Sequence, residues 1–260
     1  MSEEKSVQAV KNNSKEIAVN DLYNMSDFMD GGLTLDDVRL EKLVTVQSNS
    51  KIREEFDSYK EGDMYLSVSR NRVLEQGTFI KFIPLYIKKL VQVFENKSKS
   101  DDPKLAQKGD YIETLNESDM PGEFEYVDKD FIRMKIKSVF CLVMGEGFST
   151  VFPYRIDFKS SSMKNLNPLI LKITEHIHAE NGNTPMDLVF NVTTKKMKND
   201  QASWYVPEVS FNSLADKEQK SLAIKGVELI KSLKDKALYD DSDLEDSIKK
   251  EDSESDDVPF

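Results

Sequence analysis

Apolar and polar positions alternate most regularly in FIRMKIKSVFCLVM (131–144). There Ile132, Met134 and Ile136 fall on one side of a strand and Arg133, Lys135 and Lys137 on the other. That strand therefore has an apolar face and a cationic face. Gly145-Glu146-Gly147 supplies a turn, and FSTVFPYRIDF (148–158) returns antiparallel, with Pro153 implying an edge or a bulge. Upstream, MYLSVSR (64–70) alternates too, with Tyr65, Ser67 and Ser69 opposite Met64, Leu66, Val68 and Arg70, and NRVLEQG (71–77) reads as a turn. TFIKFIPLYIKKLVQVF (78–94) is too long for one strand, and Pro84 marks its middle as an edge, bend or bulge. LVTVQ (43–47) fits a short strand, or else belongs to a helix through 38–46. After the polar loop at 96–109, DYIETL (110–115) is a weak strand. MDLVFNVTTKK (186–196) and SWYVPEVSF (203–211) form a second hairpin-like pair.

Two segments carry helical spacing instead. SSSMKNLNPLILKITEHIHAE (160–180) reads as a helix capped by Ser160, Ser161 or Ser162, with Leu169, Leu171, Ile173 and Ile177 inward. Pro168 allows a start only at that point. Ser213-Leu214-Ala215-Asp216 has capping-box spacing and opens a helix to about Lys236, with Ala223, Val227, Ile230 and Leu233 on one face. The pattern predicts an α+β fold: a mostly antiparallel, curled sheet with two helices, of the kind that closes into an OB-like barrel. Residues 1–20 form a disordered arm, 21–239 a single body and 240–260 a disordered acidic tail.

Charge sharpens that division. The net charge of the chain is −11. Residues 240–260 hold ten acidic residues and two lysines, and residues 1–40 hold eight acidic and four basic ones. The body between them is thus close to neutral, and the acidity sits at the two ends. A hydrophobic content of 38% is low and a charged content of 32% high, as for a folded body with disordered ends. No apolar run is long enough to span a membrane, and the N-terminus has no signal-like apolar core. The single cysteine, Cys141, lies in an apolar run and fits a reducing compartment. A cytoplasmic protein is expected.

Candidate chemistry is sparse. His176 and His178 form an H-x-H pair on a helix, where positions two apart diverge, and no further ligand lies near. No phosphate-binding, nucleophile-elbow or zinc-protease motif is present. The residues predict a non-enzymatic protein with no metal and no cofactor. Basic and aromatic residues do interleave on the strands: Arg70, Arg72, Phe79, Lys81, Tyr86, Lys88, Arg133, Lys135, Lys137, Tyr154, Arg155, Lys195, Lys196, Trp204 and Tyr205. Cations that follow phosphates and rings that stack on unpaired bases are what single-stranded DNA binding requires.

The last residues, Asp256-Asp257-Val258-Pro259-Phe260, follow an acidic run. This end resembles the tip of the bacterial single-stranded DNA-binding proteins, which finish in Asp-Asp-Ile-Pro-Phe after an acidic disordered tail. The resemblance implies that the tip recruits replication, recombination or repair proteins. Phe260 would enter an apolar pocket, Pro259 would restrict the chain, and Asp256 and Asp257 would steer it to basic partners. The body departs from that family, lacking its short N-terminal domain sequence and its Gly/Gln/Pro-rich linker. Residues 61–95 instead resemble a widespread group of bacteriophage proteins with a G-D-strand-turn-strand-x-P-strand pattern. Together these resemblances imply a phage-encoded single-stranded DNA-binding protein in the host cytoplasm, with homo-oligomers compatible. The alternative is an adaptor or transcription modulator that engages host proteins through the tip without touching DNA. A recombination enzyme is a third, weaker reading.

Overall fold

The computed structural model describes residues 40–120, 125–145, 147–149, 152–199 and 202–233. The arm at 1–20, the readings up to residue 39, the acidic tail at 240–260 and its tip lie outside the described residues. The axis of the fold is β4 (Ile80–Asn96), a single strand of 17 residues. Pro84 does not break it. The pairing with β6 (Phe131–Met144) runs from Lys81–Met144 to Glu95–Phe131 and steps from Pro84–Cys141 to Tyr86–Phe140, so Leu85 is one residue too many. A β-bulge absorbs the proline, and the sequence-predicted interruption becomes a change of face.

On its other edge β4 is shared. β8 (Leu188–Lys198) pairs with Ile80–Phe82, while β5 (Lys108–Asn116) pairs from Leu90 to Asn96. The sheet therefore forks along β4. Its full order is β3-β2-β1-β7-β6-β4-β8-β9, with β5 off that path. Here β1 is Lys42–Thr45, β2 Met64–Leu66, β3 Arg72–Leu74, β7 Tyr154–Lys159 and β9 Ser203–Leu214. Every pairing is antiparallel except β1 with β7. The fold is α+β on a curled, mostly antiparallel sheet, as the alternation predicted.

Three local readings change. Residues 71–77 are not simply a turn: β3 lies within them, and the chain reverses at 67–70, where Arg70 adopts φ 58°. Glu41 holds that reversal by accepting hydrogen bonds from the Val68 and Ser69 amides at 2.9 and 3.0 Å. The 160–180 segment begins as a 3-10 turn (Ser160–Leu166) and becomes α2 only at Asn167–Ala179, with Pro168 in its first turn. Leu166, Leu169, Ile170 and Ile173 face the core, while Leu171, two positions from Leu169 and so on the opposite side of the helix, and Ile177 are exposed. Finally, Ser213 and Leu214 still belong to β9, and Asp216 caps α3 (Lys217–Ser232) by accepting from the Gln219 amide at 2.9 Å. A third, one-turn helix, α1 (Ile52–Glu55), went unread in the sequence.

Both faces of the sheet are covered. The inner face carries Phe82, Val139, Cys141, Ile156, Phe158 and Phe190, closed by α2. The outer face carries Ile83, Leu85, Phe140 and Leu142, covered by α3 through Ala223 and Ile230. Gly226 lets α3 approach closely, since a Cβ there would lie 2.8 Å from Leu85 Cδ1. The two sides of the curled sheet meet through side chains rather than a strand ladder. Gln47 donates from Nε2 to the Tyr205 carbonyl at 2.7 Å, and its Oε1 accepts from the Tyr205 amide at 2.9 Å. One side-chain amide thus imitates a strand neighbour. Gln76 donates to the Tyr205 hydroxyl at 2.7 Å, and Thr194 donates to the Gly62 carbonyl.

Gly62 and Gly77 both have positive φ, 87° and 85°. A Cβ on Gly62 would sit 2.7 Å from the Tyr205 ring, whereas a Cβ on Gly77 meets nothing within 4 Å. Each alanine substitution carries the backbone strain of about 1–3 kcal/mol. Gly62→Ala should therefore unfold at a lower temperature than Gly77→Ala in thermal denaturation, the difference reporting the seam. Equal losses would show that Tyr205 does not hold it.

Candidate nucleic-acid interface

Along β6 the face that holds Val139, Cys141 and Val143 in the core continues outward as Lys137, Lys135 and Arg133. Alternate residues of a strand recur about every 6.8 Å, so these cations form an evenly spaced row. Their partners on β4 are Lys89, Val91 and Val93. Lys89 and Lys137 thus stand directly opposite one another, where Cβ atoms are about 4.5–5.5 Å apart and like charges oppose folding. On the far side of β4, Asn116 pairs with Leu90, and the next residues, Glu117–Asp119, form a 3-10 turn. That turn places Glu117 Oε1 2.8 Å from Lys135 Nζ. The hydrogen bond from Lys135 holds the Glu117 carboxyl below its usual range against partial burial, and the charges of Lys135, Lys89 and Lys137 act in the same direction. One carboxylate is set among three lysines.

Aromatic rings border the row. Lys135 Nζ lies 5.3 Å from the centroid of Tyr126, which is 48% exposed. The Arg133 guanidinium lies 5.3 Å from the centroid of Phe131, which is 37% exposed. Arg133 is also ion-paired with Asp128 and donates to the Glu125 carbonyl at 3.0 Å. Lys89 and Lys137 form no ion pair among the described residues.

The other cations and rings named from the sequence are dispersed. Arg70 is bound by both carboxylate oxygens of Glu55 at 2.7 Å, and Arg72 is paired with Asp63 and Glu75 beside the Tyr59 ring. Lys195 is paired with Glu208 at 2.6 Å, and Lys196 lies 5.6 Å from the Tyr205 centroid. Trp204 donates to the Ser161 hydroxyl at 3.2 Å, while Tyr205 is buried in the seam. Phe79 and Lys81 are exposed at the start of β4. Tyr86 is exposed against Phe140, and Lys88 stands opposite Ser138, on the face away from the cationic row. Tyr154 is buried in the inner core and its hydroxyl accepts from the Ser149 amide.

Arg155 is 2% exposed and binds Asp157 through Nε at 2.8 Å and through its terminal nitrogen at 3.0 Å. Lys42 Nζ lies 3.0 Å from the same carboxylate, and Ser138 donates to it at 2.6 Å. Burial alone would push the Asp157 carboxyl up; Arg155, Lys42 and Lys159 hold it far below the ordinary range. Arg155 is a structural cation.

The row therefore joins Arg133, Lys135 and Lys137 to three residues that the sequence reading did not select: Lys89, Glu117 and Tyr126. Lys89 was missed for a physical reason. Without the bulge at Leu85, alternation counted from Phe82 puts Lys88 on the inner face; the extra residue puts Lys89 there. Elsewhere the site chemistry is plain. Burial pushes the Cys141 thiol well up, and His176 Nε2 lies 3.4 Å from Asp187. No cluster of potential metal ligands occurs among the described residues, and none of their helices is long and apolar enough to cross a membrane.

A curled α+β sheet with a cationic strand row defines the class. Residues 12–238 match the model of the Pam3 phage gp34-like proteins, and the chain belongs to that phage protein family. The match ends before the acidic tail. No curated protein and no solved structure matches the chain significantly.

The Asp157 network also carries a stability expectation. Asp157→Asn leaves Arg155 and Lys42 buried without their counter-charge, so unfolding by urea at pH 7 should show a loss of about 3–5 kcal/mol. A carboxyl depressed by folding stabilises above its unfolded value of about 3.9 and loses that contribution as pH falls further. The variant should therefore be less sensitive to acid than the native chain. An unchanged acid slope would contradict the network.

Proposed function

We propose that this phage protein binds single-stranded DNA without enzymatic activity, in replication or recombination. In this reading Arg133, Lys135, Lys137 and Lys89 follow the phosphates, while Tyr126 and Phe131 offer ring faces to unpaired bases. The observation that carries it is the cationic row of β6, set on a strand paired along its length with β4 and bordered by exposed rings. Such a row suits a flexible polyanion, because each neutralised phosphate releases condensed counterions and each stacked base adds about 1–3 kcal/mol. Arg133 and Lys135 have carboxylate partners, as Arg70, Arg72 and Arg155 do, but Lys89 and Lys137 beside them form no ion pair among the described residues, which supports this row as the cationic surface. The acidic tail supports the second half of the proposal. Residues 256–260 resemble a partner-recruiting tip, so Asp256, Asp257, Val258, Pro259 and Phe260 engage replication, recombination or repair proteins while the body holds DNA.

Fluorescence titration with oligo-dT at several salt concentrations tests the DNA half. Binding should weaken with salt at about −0.7 in log–log slope per phosphate contacted. The Lys135→Ala/Lys137→Ala double variant should bind at least tenfold more weakly at low salt and with a shallower slope. No binding by the native chain at low salt, or binding indifferent to salt, would overturn the proposal and favour an adaptor that acts through its tip alone.

A further inference from the structure

We infer that Glu117 is a built-in counter-ion that occupies the phosphate site between Lys89, Lys135 and Lys137 and is displaced by the DNA backbone. The inference rests on the single-stranded DNA reading and names the gate of that same site.

Three observations converge on it. The first is the direct opposition of Lys89 and Lys137 across β4 and β6. A sheet gains nothing from like charges at that spacing, so the pair is held against folding stability and calls for an anion between or above it. The second is the position of Glu117. It reaches Lys135 at 2.8 Å across the row that contains Val91, and the fields of Lys89 and Lys137 also act on it. Its side chain remains 25% exposed, so the pair is open to solvent and to exchange with another anion. The third is the turn itself. Asn116 immediately precedes Glu117, and its Oδ1 is buried without a hydrogen-bond partner among the described residues, while its Nδ2 donates to Asp119 at 2.6 Å. An acceptor left in that state favours movement of the turn, because swinging Glu117 outward returns the amide to water. A phosphate then replaces the carboxylate on Lys135 with equivalent charge, and Lys89 and Lys137 gain a shared partner. Specificity follows from the exchange: a weakly charged or neutral ligand cannot displace Glu117, whereas a polyphosphate chain can.

Fluorescence titration of the full chain with oligo-dT separates this inference from the reading it rests on. Glu117→Gln should bind about two- to fivefold tighter than the native chain at low salt, the range of a surface ion pair. Its salt slope should steepen by about 0.7, one additional phosphate. Glu117→Asp, which keeps the charge, should stay near the native affinity. Lys89→Ala should bind more weakly while melting at the same or a higher temperature, since it relieves the opposed charges. A merely structural lysine would instead lower the melting temperature. If the native chain binds and Glu117→Gln binds equally or more weakly, the counter-ion role is wrong and the DNA reading stands. If neither binds at low salt, both are wrong.

Discussion

The structure depends on one long antiparallel pairing, β4 against β6, and on the single residue by which it slips. Between Lys81–Met144 and Glu95–Phe131 the two strands stay paired, but Leu85 is extra. Before the bulge, Phe82 faces the inner core; after it, Ile87 does. Leu85 itself turns outward against Gly226 of α3, which anchors the helix on the outer face. The same slip selects Lys89 for the row with Lys137. A regular strand would have set Lys88 opposite Lys137 instead and turned Lys89 to the other face.

A fork follows from the length of β4. Its first residues bind β8 and its last bind β5, so the distal half of β4 and β6 extends beyond the part lined by the inner core. On β6 the transition falls between Val139 and Lys137. Inside, the strand buries valine and cysteine; outside, the same face carries Lys137, Lys135 and Arg133. The seam at the other side of the sheet uses Gln47 and Tyr205 to join segments that form no ladder with each other, and Gly62 leaves room for the tyrosine ring. The seam, the two cores and the Asp157 network tie together the sheet that carries the cationic row.

Much of this was legible in the sequence, for reasons tied to particular residues. The alternation at 131–137 predicted both faces of β6, because period-two patterning survives wherever a strand is half covered. The inner face of α3 was equally plain, with Ala223 and Ile230 buried and Val227 half-buried at helical spacing, and Leu233 buried just past its end. Errors arose where spacing was misjudged or a local irregularity shifts phase. In α2 the expected inner face was drawn too wide: Leu169 and Ile173 are inward, but Leu171 lies on the opposite side of the helix and Ile177 is exposed. The bulge at Leu85 exchanged Lys88 for Lys89. Glu117 reaches Lys135 only through the register of β5 on β4, and Tyr126 through a tight reversal in which the Arg133 amide donates to the Tyr126 carbonyl. Arg155 illustrates the opposite difficulty, since its sequence neighbours look like those of a surface cation while Asp157 and Lys42 make it internal.

Net charge is a poor guide to this surface. The body is nearly neutral, and most of its arginines are balanced by carboxylates within reach of a hydrogen bond. What distinguishes the β4–β6 row is local excess: three lysines and Arg133 against two carboxylates, Glu117 and Asp128, with two bordering rings. Lysine footprinting by acetylation and mass spectrometry tests that claim most directly, comparing the full chain with and without oligo-dT at low salt. Protection should concentrate on Lys89, Lys135 and Lys137, with Lys195 and Lys196 left reactive. Protection of Lys195 and Lys196 with Lys89 and Lys137 unchanged would contradict it.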